Sequence, residues 1–167
     1  MTRILLASSS IYRRQLLDKL GLYFDHASPD IDEAPRPNES AYALAERLSI
    51  AKAEILSASH PDHLIIGSDQ VVELDGQLLG KPGNHANAID QLNRCSGKTV
   101  TFYTGICLRN TNTGRNQYQC DTYTVTFRLL TPLQIERYVT QEIPYDCAGS
   151  FKSEGLGISL FTAIKGD

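Results

Sequence analysis

Hydrophobic and polar positions alternate along the chain in a way that predicts an α/β protein. The first apolar run, Ile4 to Ala7, is typical of a buried strand. Three serines follow, and Ser10 predicts the N-cap of a helix that ends at Gly21. The apolar stripe of this helix comprises Leu16, Leu17 and Leu20, a pattern typical of a helix that packs on a core.

The pattern continues with a second strand over Tyr23 to Ala27 and, after a polar loop, a helix over Ser40 to Ser57. A third strand is predicted over His63 to Ser68. We expect the chain to change direction sharply at Asp69 and then to remain extended from Val71 to Leu74.

Turn residues divide the middle of the chain. Asp75-Gly76 is a strong signal for a β-hairpin, and Asn84 predicts the N-cap of a helix that Gly97 terminates. Two long β-rich runs follow, at Val100 to Leu108 and Tyr118 to Leu129.

The last part of the chain begins with a helix signal and then loses its periodicity. Thr131-Pro-Leu-Gln134 combines a capping box with proline at the first helical position, and the helix is predicted to end near Gln141. From Asp146 onward, three glycines surround Ser150 to Glu154, which is typical of a binding loop. The sequence predicts no closing element at Lys165.

Composition and charge narrow the class of protein. The chain has 167 residues, of which 41% are hydrophobic and 21% charged, and these values suit one soluble domain. A net charge of -3 argues against a protein that coats nucleic acid. No apolar run approaches a membrane span and no signal-peptide pattern begins the chain, so we expect no membrane association and a cytoplasmic location. The spacing of the four cysteines predicts neither a zinc site nor a disulfide framework.

Paired arginines after the serine loop indicate an anion site. Arg13 and Arg14 fall in or beside the first turn of the predicted helix, where the free N–H groups already create a positive end. Two cations destabilise that end unless an anion binds there, and phosphate fits both the arginines and the helix start. The serines alternatively suggest a nucleophile, but no histidine accompanies them in a convincing motif.

Two carboxylates are candidates for metal binding or base catalysis. Asp69 follows an apolar strand, and ligands bind at the carboxyl ends of strands in α/β sheets. It can hold a divalent cation or accept a proton from water. Glu33, in a loop, would complete an oxygen ligand set for Mg²⁺. The alternatives are a turn-forming aspartate and a solvated acidic loop.

Four further side chains are candidates for contacting a nucleotide. Lys52 and Lys81 would each supply a point charge to phosphate, although exposed lysines are common. Glu154 presents two acceptors side by side, which match the adjacent N–H donors on the Watson–Crick edge of guanine. Tyr12 would stack on a base, or it is an ordinary amphipathic helix residue.

The order of seven short motifs resembles the Maf family of nucleotide pyrophosphatases. They cover nearly the whole chain: Leu6 to Arg14, Asp32-Glu33, Ala51 to Ala53, Gly67 to Gln70, Gly80 to Pro82, Ser96-Gly97 and Gly149 to Gly157. Tyr103 to Gly105 and Ser150 to Glu154 particularly resemble the YceF-like branch, the 7-methyl-GTP pyrophosphatases.

The resemblance implies an ITPase-like fold with an elongated mixed β-sheet, flanking helices and a central substrate cleft. It also implies dependence on Mg²⁺ or Mn²⁺, a nucleoside triphosphate substrate rather than a nucleic-acid polymer, and a homodimer. Family members continue past Lys165 into a further segment and a final helix. We therefore expect residues 1–167 to form a single Maf-like domain that lacks this C-terminal segment.

Residue roles also follow from the resemblance. Asp69 matches the family's proton acceptor. The positions that handle phosphate and metal match Ser8, Arg13, Glu33, Lys52 and Lys81, and those tied to base choice match Tyr12, Gln70 and Glu154. The expected activity is hydrolysis of 7-methyl-GTP to 7-methyl-GMP and pyrophosphate. The alternatives are a dTTP/UTP or broader noncanonical-nucleotide pyrophosphatase, and a nucleotide-binding regulator of septum formation.

Overall fold

A computed structural model describes residues 3–152 and 155–166. The strands are β1 (Arg3–Ala7), β2 (Asp25–Ala27), β3 (His63–Leu74), β4 (Gln77–Leu79), β5 (Thr99–Asn110), β6 (Arg115–Phe127) and β7 (Phe161–Lys165). The α-helices are α1 (Ile11–Asp18), α2 (Ala41–Ile55), α3 (His85–Cys95) and α4 (Pro132–Glu142). Short 3-10 helices occupy Ala148–Ser150 and Leu156–Leu160. None of the helices in these ranges is long and apolar enough to cross a membrane.

The strands form one mixed sheet in the order β2-β1-β3-β5-β6-β7, and β4 pairs with β3 outside this path. β1 is parallel to both β2 and β3. The β3–β4 and β6–β7 pairs are antiparallel. The predicted α/β class, with a mixed sheet and flanking helices, is confirmed.

The chain divides into two compact units. The first contains Met1–Asp69 and Thr104–Cys120, and the second contains Gln70–Tyr103 and Asp121–Asp167. The core of the first unit includes the fully buried residues Leu5, Ala7, Ala53, Ile65 and Cys107. Because β1 and β3 pair in parallel, their apolar side chains meet this core in register.

Small residues let α2 approach the sheet of the first unit closely. A Cβ atom at Gly105 would lie 2.6 Å from the carbonyl oxygen of Ala45 and 2.9 Å from Oγ of Ser49. A Cβ atom at Gly67 would collide with the backbone of Ser49 and Ala53. Ala45, Ser49 and Ala53 are all fully buried, so the helix packs through small side chains onto two strand glycines.

The second unit has its own larger core. Its fully buried members come from several elements and include Val72, Leu92, Val100, Val125, Phe127, Ile135 and Val139. Aromatic rings pack edge to face beside them, with the ring centroids of Phe127 and Phe161 4.8 Å apart.

Local sequence signals for helix starts and one turn are confirmed. Ser10 and Asn84 cap their helices as predicted, and Ser40, predicted only to begin a helix, caps α2; each side chain accepts a backbone N–H from the first turn. Thr131 forms the predicted capping box. The Asp75-Gly76 turn joins β3 to β4 as an antiparallel pair.

The predicted change of direction at Asp69 is wrong, because β3 continues without interruption through this residue. The strand pairs with β1 as far as Gly67 and with β4 from Val72. Pairing with the distant strand β1 on one side and with the hairpin strand β4 on the other keeps the segment extended, although glycine, serine and aspartate favour turns. Asp69 therefore lies inside a strand and not at its carboxyl end.

The prediction that no element closes the chain is also wrong. Residues Phe161–Lys165 form β7, which pairs with β6 through Val125↔Ile164 and neighbouring pairs. The strand is short and mostly exposed, so its apolar pattern is weak in the sequence. The extended conformation of β7 depends on its pairing with β6.

Two N-terminal predictions differ in detail. The second strand is shorter than predicted and covers only Asp25–Ala27. α1 forms, but Leu16 and Leu20 are 56% and 66% exposed and not packed in a core. Helix α1 buries none of its residues within the ranges that the structure describes.

Candidate functional site

Lys52 joins two carboxylates in the first unit. Its Nζ lies 2.6 Å from Oδ1 of Asp69 and 2.6 Å from Oε1 of Glu33. The Lys52 and Asp69 side chains are only 7% and 11% exposed, whereas Glu33 is 54% exposed. A buried lysine thus holds an interior carboxylate and a loop carboxylate together.

Packing of α2 against the sheet places Lys52 within reach of Asp69. Lys52 lies on α2, next to the small residues that contact the strand glycines. Asp69 lies within the buried stretch of β3. Because the helix approaches the strands so closely, a lysine on it can reach a carboxylate on the strand directly.

Burial dominates the electrostatics of the site. Desolvation raises the pKa of Asp69 above its ordinary value, although Lys52 and Arg13 act in the opposite direction. Desolvation also lowers the pKa of Arg13, while Asp69 and Glu33 favour its charged form. Arg13 is therefore close enough to interact with both carboxylates. A carboxylate with a raised pKa is a stronger proton acceptor near neutral pH.

The serine loop brings the start of α1 to this part of the first unit. Ser8 is buried directly after β1, and its Oγ accepts the N–H of Ser10 at 3.1 Å. Ser10 Oγ in turn accepts the N–H of Arg13 at 3.4 Å. These bonds fix the first turn of the helix, where free N–H groups favour an anion.

The two arginines have different surroundings. While Arg13 interacts with the carboxylates, Nη1 of Arg14 lies 3.0 Å from Nε2 of His26 on β2. The Nε atom of Arg14 is buried, with no hydrogen-bond partner among the described residues. Tyr12, in the same helical turn, is half-buried.

The remaining candidates belong to the second unit or lie outside the described residues. Gln70 follows Asp69 in β3 and is exposed. Lys81 is exposed between β4 and α3. Glu154 lies outside the residues that the structure describes, so its predicted role stays a prediction.

Sequence reasoning missed Arg47 and Glu39. Arg47 pairs with Glu39 through two hydrogen bonds and also contacts the loop that carries Glu33. The only sequence signal is an acidic residue just before the Ser40 cap and an arginine on the following helix. Such a pair is indistinguishable from ordinary surface charge until the loop conformation is known.

Glu33 and Asp69 fit a divalent cation by the chemistry of their donors. Both present a carboxylate oxygen to one shared cation, the ammonium of Lys52. Mg²⁺ takes one or two carboxylates together with phosphate and water oxygens. No group of three or more histidine, cysteine, aspartate or glutamate residues is arranged for metal binding within 3–152 and 155–166. Substrate oxygens would have to complete the coordination.

The sequence of the chain matches a known protein family. A sequence model described as "Maf-like protein" matches residues 3–167. The chain belongs to the Maf family. The predicted membership is therefore confirmed, and the match to this Maf protein includes all the candidate residues.

Curated relatives of this Maf protein share a name. A protein of Alcanivorax borkumensis called 7-methyl-GTP pyrophosphatase is 60% identical over 98% of this chain and 83% of its own length. Proteins of the same name from Pseudomonas syringae and Pseudomonas aeruginosa are 56% and 55% identical. The alignments cover 99% and 100% of this chain and 86% and 87% of theirs.

A likeness to a solved structure is weaker. The crystal structure of a nucleoside-triphosphatase, or dITP/XTP pyrophosphatase, from Mycobacterium abscessus contains a chain that is 19% identical in sequence to this one. It matches 75% of this chain and 74% of its own with a TM-score of 0.45. At this level the likeness supports no conclusion about function.

Proposed function

We propose that this Maf protein hydrolyses 7-methyl-GTP to 7-methyl-GMP and pyrophosphate. The observation that carries the proposal is the convergence of Glu33, Lys52 and Asp69 on one point of the first unit. A metal-assisted attack on a triphosphate requires both carboxylates and cations at one place. Relatives that are 60% and 56% identical over nearly the whole of this chain are named for that reaction.

Asp69 would act as the base for the attacking water. It takes a proton from the water while the water oxygen bonds to the α-phosphorus. The bond from the α-phosphorus to the bridging oxygen breaks, and pyrophosphate leaves. Burial raises the pKa of Asp69, which is the direction that strengthens a carboxylate as a proton acceptor.

Cationic side chains would stabilise the charge that develops during this step. Arg13 and Lys52 lie beside the carboxylates, and Ser8 and the start of α1 offer neutral donors to phosphate oxygens. Arg14 and Lys81 remain proposed phosphate contacts. Charge stabilisation is the dominant requirement of phosphoryl-type transfer.

Glu33 and Asp69 would hold the divalent cation, Mg²⁺ or Mn²⁺. When bound, that cation would polarise the phosphate oxygens. Lys52 would supply a positive charge to the phosphates from beside the same carboxylates. The carboxylates of Glu33 and Asp69 provide oxygen ligands, which hard cations such as Mg²⁺ and Mn²⁺ prefer.

Base choice would depend on Tyr12, Gln70 and Glu154. Methylation at N7 makes guanine cationic. A facing carboxylate and an aromatic ring would therefore bind 7-methyl-GTP more tightly than plain GTP. Glu154 would accept the two guanine donors that a glutamine could not both accept. A cytoplasmic location, a homodimer and a single domain belong to the same proposal.

A pyrophosphate-release assay tests the activity. The nucleotides 7-methyl-GTP, GTP, UTP and dTTP are compared with Mg²⁺ and with Mn²⁺, and 7-methyl-GTP is expected to be fastest. Asp69→Asn should lower kcat by about 10²–10³-fold, the usual loss when a transition-state contact is removed. Asp75→Asn is the matched control, because Asp75 is an exposed turn residue whose left-handed backbone suits asparagine.

The possible results separate the proposal from its alternatives. Near-normal turnover by Asp69→Asn contradicts the assigned base. Preference for UTP or dTTP indicates the other pyrophosphatase activity. Nucleotide binding without pyrophosphate release indicates the regulatory protein.

A second variant tests the base contact. Glu154→Gln should reduce 7-methyl-GTP turnover relative to UTP by roughly ten- to a hundredfold, because a bidentate base contact contributes roughly 1–3 kcal/mol. An equal fall for both substrates would show that Glu154 does not select the base.

A further inference from the structure

The loop that carries Glu33 has no regular secondary structure. We call residues 28–39, between β2 and α2, the acidic loop. Glu33 is 54% exposed, and a carboxylate on such a loop needs external contacts to stay in one place. Asp32 gives local support, because its Oδ1 accepts the N–H of Ala34 at 2.9 Å.

Arg47 on α2 connects this loop to the helix. Its Nε and Nη2 donate to the two carboxylate oxygens of Glu39 at 2.6 Å and 2.9 Å. The same Nη2 donates to the carbonyl oxygen of Ala34, next to Glu33, at 2.9 Å. Glu39 Oε2 also accepts the N–H of Arg36 at 2.9 Å. One guanidinium therefore holds the acidic loop at two points, the backbone directly after Glu33 and the side chain of Glu39.

The ion pair is well formed and largely shielded from water. The side chains of Arg47 and Glu39 are only 19% and 8% exposed. Hydrogen bonds from Arg47 and from the Arg36 backbone lower the pKa of Glu39 to about 2, so it remains ionised at neutral pH. A bidentate arginine–carboxylate pair adds directional constraint that a single contact lacks.

We propose that Arg47, held by Glu39, is a positioning residue that keeps Glu33 in place for the divalent cation. This inference rests on the proposed function. Lys52 contacts the Glu33 carboxylate itself at 2.6 Å, the same group that would bind the cation. Arg47 binds the backbone carbonyl directly after Glu33, so its contact does not use the Glu33 carboxylate. The acidic loop therefore has an attachment to α2 that leaves the Glu33 carboxylate available for the cation.

Three variants test this role. Arg47→Lys keeps the charge but loses the planar fork, because an ammonium cannot span both Glu39 oxygens and the Ala34 carbonyl. Arg47→Met removes the charge, and Glu39→Gln removes its partner's charge. We expect each to raise the Mn²⁺ concentration for half-maximal activity by tenfold or more. At saturating Mn²⁺, kcat should fall by less than threefold.

Hydrogen exchange gives a readout without metal or substrate. Peptides covering the acidic loop should exchange at least tenfold faster in the Arg47 variants, while peptides from the centre of α2 should not change. Arg109→Lys is the matched control. Arg109 belongs to the same unit, is 19% exposed and pairs with Glu54 at 3.1 Å, away from the acidic loop. It should alter neither loop exchange nor metal dependence.

The outcomes distinguish the two proposals. A wild-type chain that hydrolyses none of the nucleotides overturns the proposed function. An active wild type, together with Arg47 and Glu39 variants of unchanged metal dependence, overturns the positioning role alone. Faster loop exchange without a change in metal dependence also overturns it, because the contact would then be merely structural.

Discussion

Replacing Lys52 with methionine should destabilise the protein strongly, even without substrate or metal. Methionine approximates the length of lysine but leaves the Asp69 carboxylate buried without its closest cation. Removing one partner of a buried ion pair costs about 3–5 kcal/mol. Arg13 still attracts Asp69, so we expect the lower end of that range. The exposed Glu33 adds little, since ion pairs in solvent contribute about 0–1 kcal/mol.

Urea denaturation followed by circular dichroism measures this loss. A second probe must give the same transition, because the chain contains two compact units. A loss of about 3 kcal/mol corresponds to a fall in Tm of roughly 6–12 °C for a chain of this length. Lys98→Met is the matched control, because its pair with Asp75 is 2.8 Å long but 49% and 64% exposed. That variant should lose about 0–1 kcal/mol.

A double-mutant cycle isolates the buried pair. Asp69→Asn combined with Lys52→Met replaces both charges, so the double variant should recover to within about 1–2 kcal/mol of the wild type. Equal losses for Lys52→Met and Lys98→Met would refute the argument from burial. Strict additivity of the two single losses would also refute it.

Three further predictions concern packing, capping and pH. Gly105→Ala should cost about 1–3 kcal/mol, because its Cβ would lie 2.6 Å from the Ala45 carbonyl oxygen; the change is read from urea denaturation. Thr131→Ala should cost about 1–2 kcal/mol by removing the capping-box acceptor at the start of α4, measured by the same denaturation. Burial raises the pKa of Cys95 from the ordinary 9.0 to about 11. The native thiol keeps its proton where the unfolded one loses it, so the free energy of unfolding should fall as pH rises from 9 to 11.

Each of these predictions has its own control. Gly80→Ala should be nearly neutral, because a Cβ atom there meets nothing within 4 Å, and an equal loss at both glycines would contradict the packing argument. Thr131→Ser keeps the capping hydroxyl and should restore most of the loss from the alanine variant. Cys95→Ala should flatten the alkaline slope, and an unchanged slope would assign it to other groups.

Local chemistry allowed the helix starts and the hairpin turn to be predicted. Ser10, Asn84 and Thr131 act on the neighbouring backbone, so their capping bonds depend on a few consecutive residues. Asp75-Gly76 likewise specifies its turn through backbone conformation, with positive φ at both residues. Such signals survive in almost any tertiary context.

The errors arose where distant segments decide the local conformation. Asp69 belongs to a continuous strand because β3 pairs with β1 before it and with β4 after it, and β1 is distant in sequence. β7 depends in the same way on β6. Long-range pairing overrides the turn preference of individual residues.

For the candidate site, the sequence likewise identified some residues but not their contacts. Residue types identified Glu33, Lys52 and Asp69, but their meeting at 2.6 Å depends on how closely α2 packs on the sheet. The contacts of Arg47 required the conformation of the acidic loop, which has no periodic pattern.

The packing of α2 on two strand glycines also constrains how this sequence can diverge. Positions 45, 49 and 53 of the helix and 67 and 105 of the strands share one narrow space. A lineage that gains a larger side chain at one of them must shrink another or lift the helix. Lifting the helix would withdraw Lys52 from Asp69. We therefore expect these five positions to vary as a correlated set among descendants, under selection from a reaction that none of them contacts.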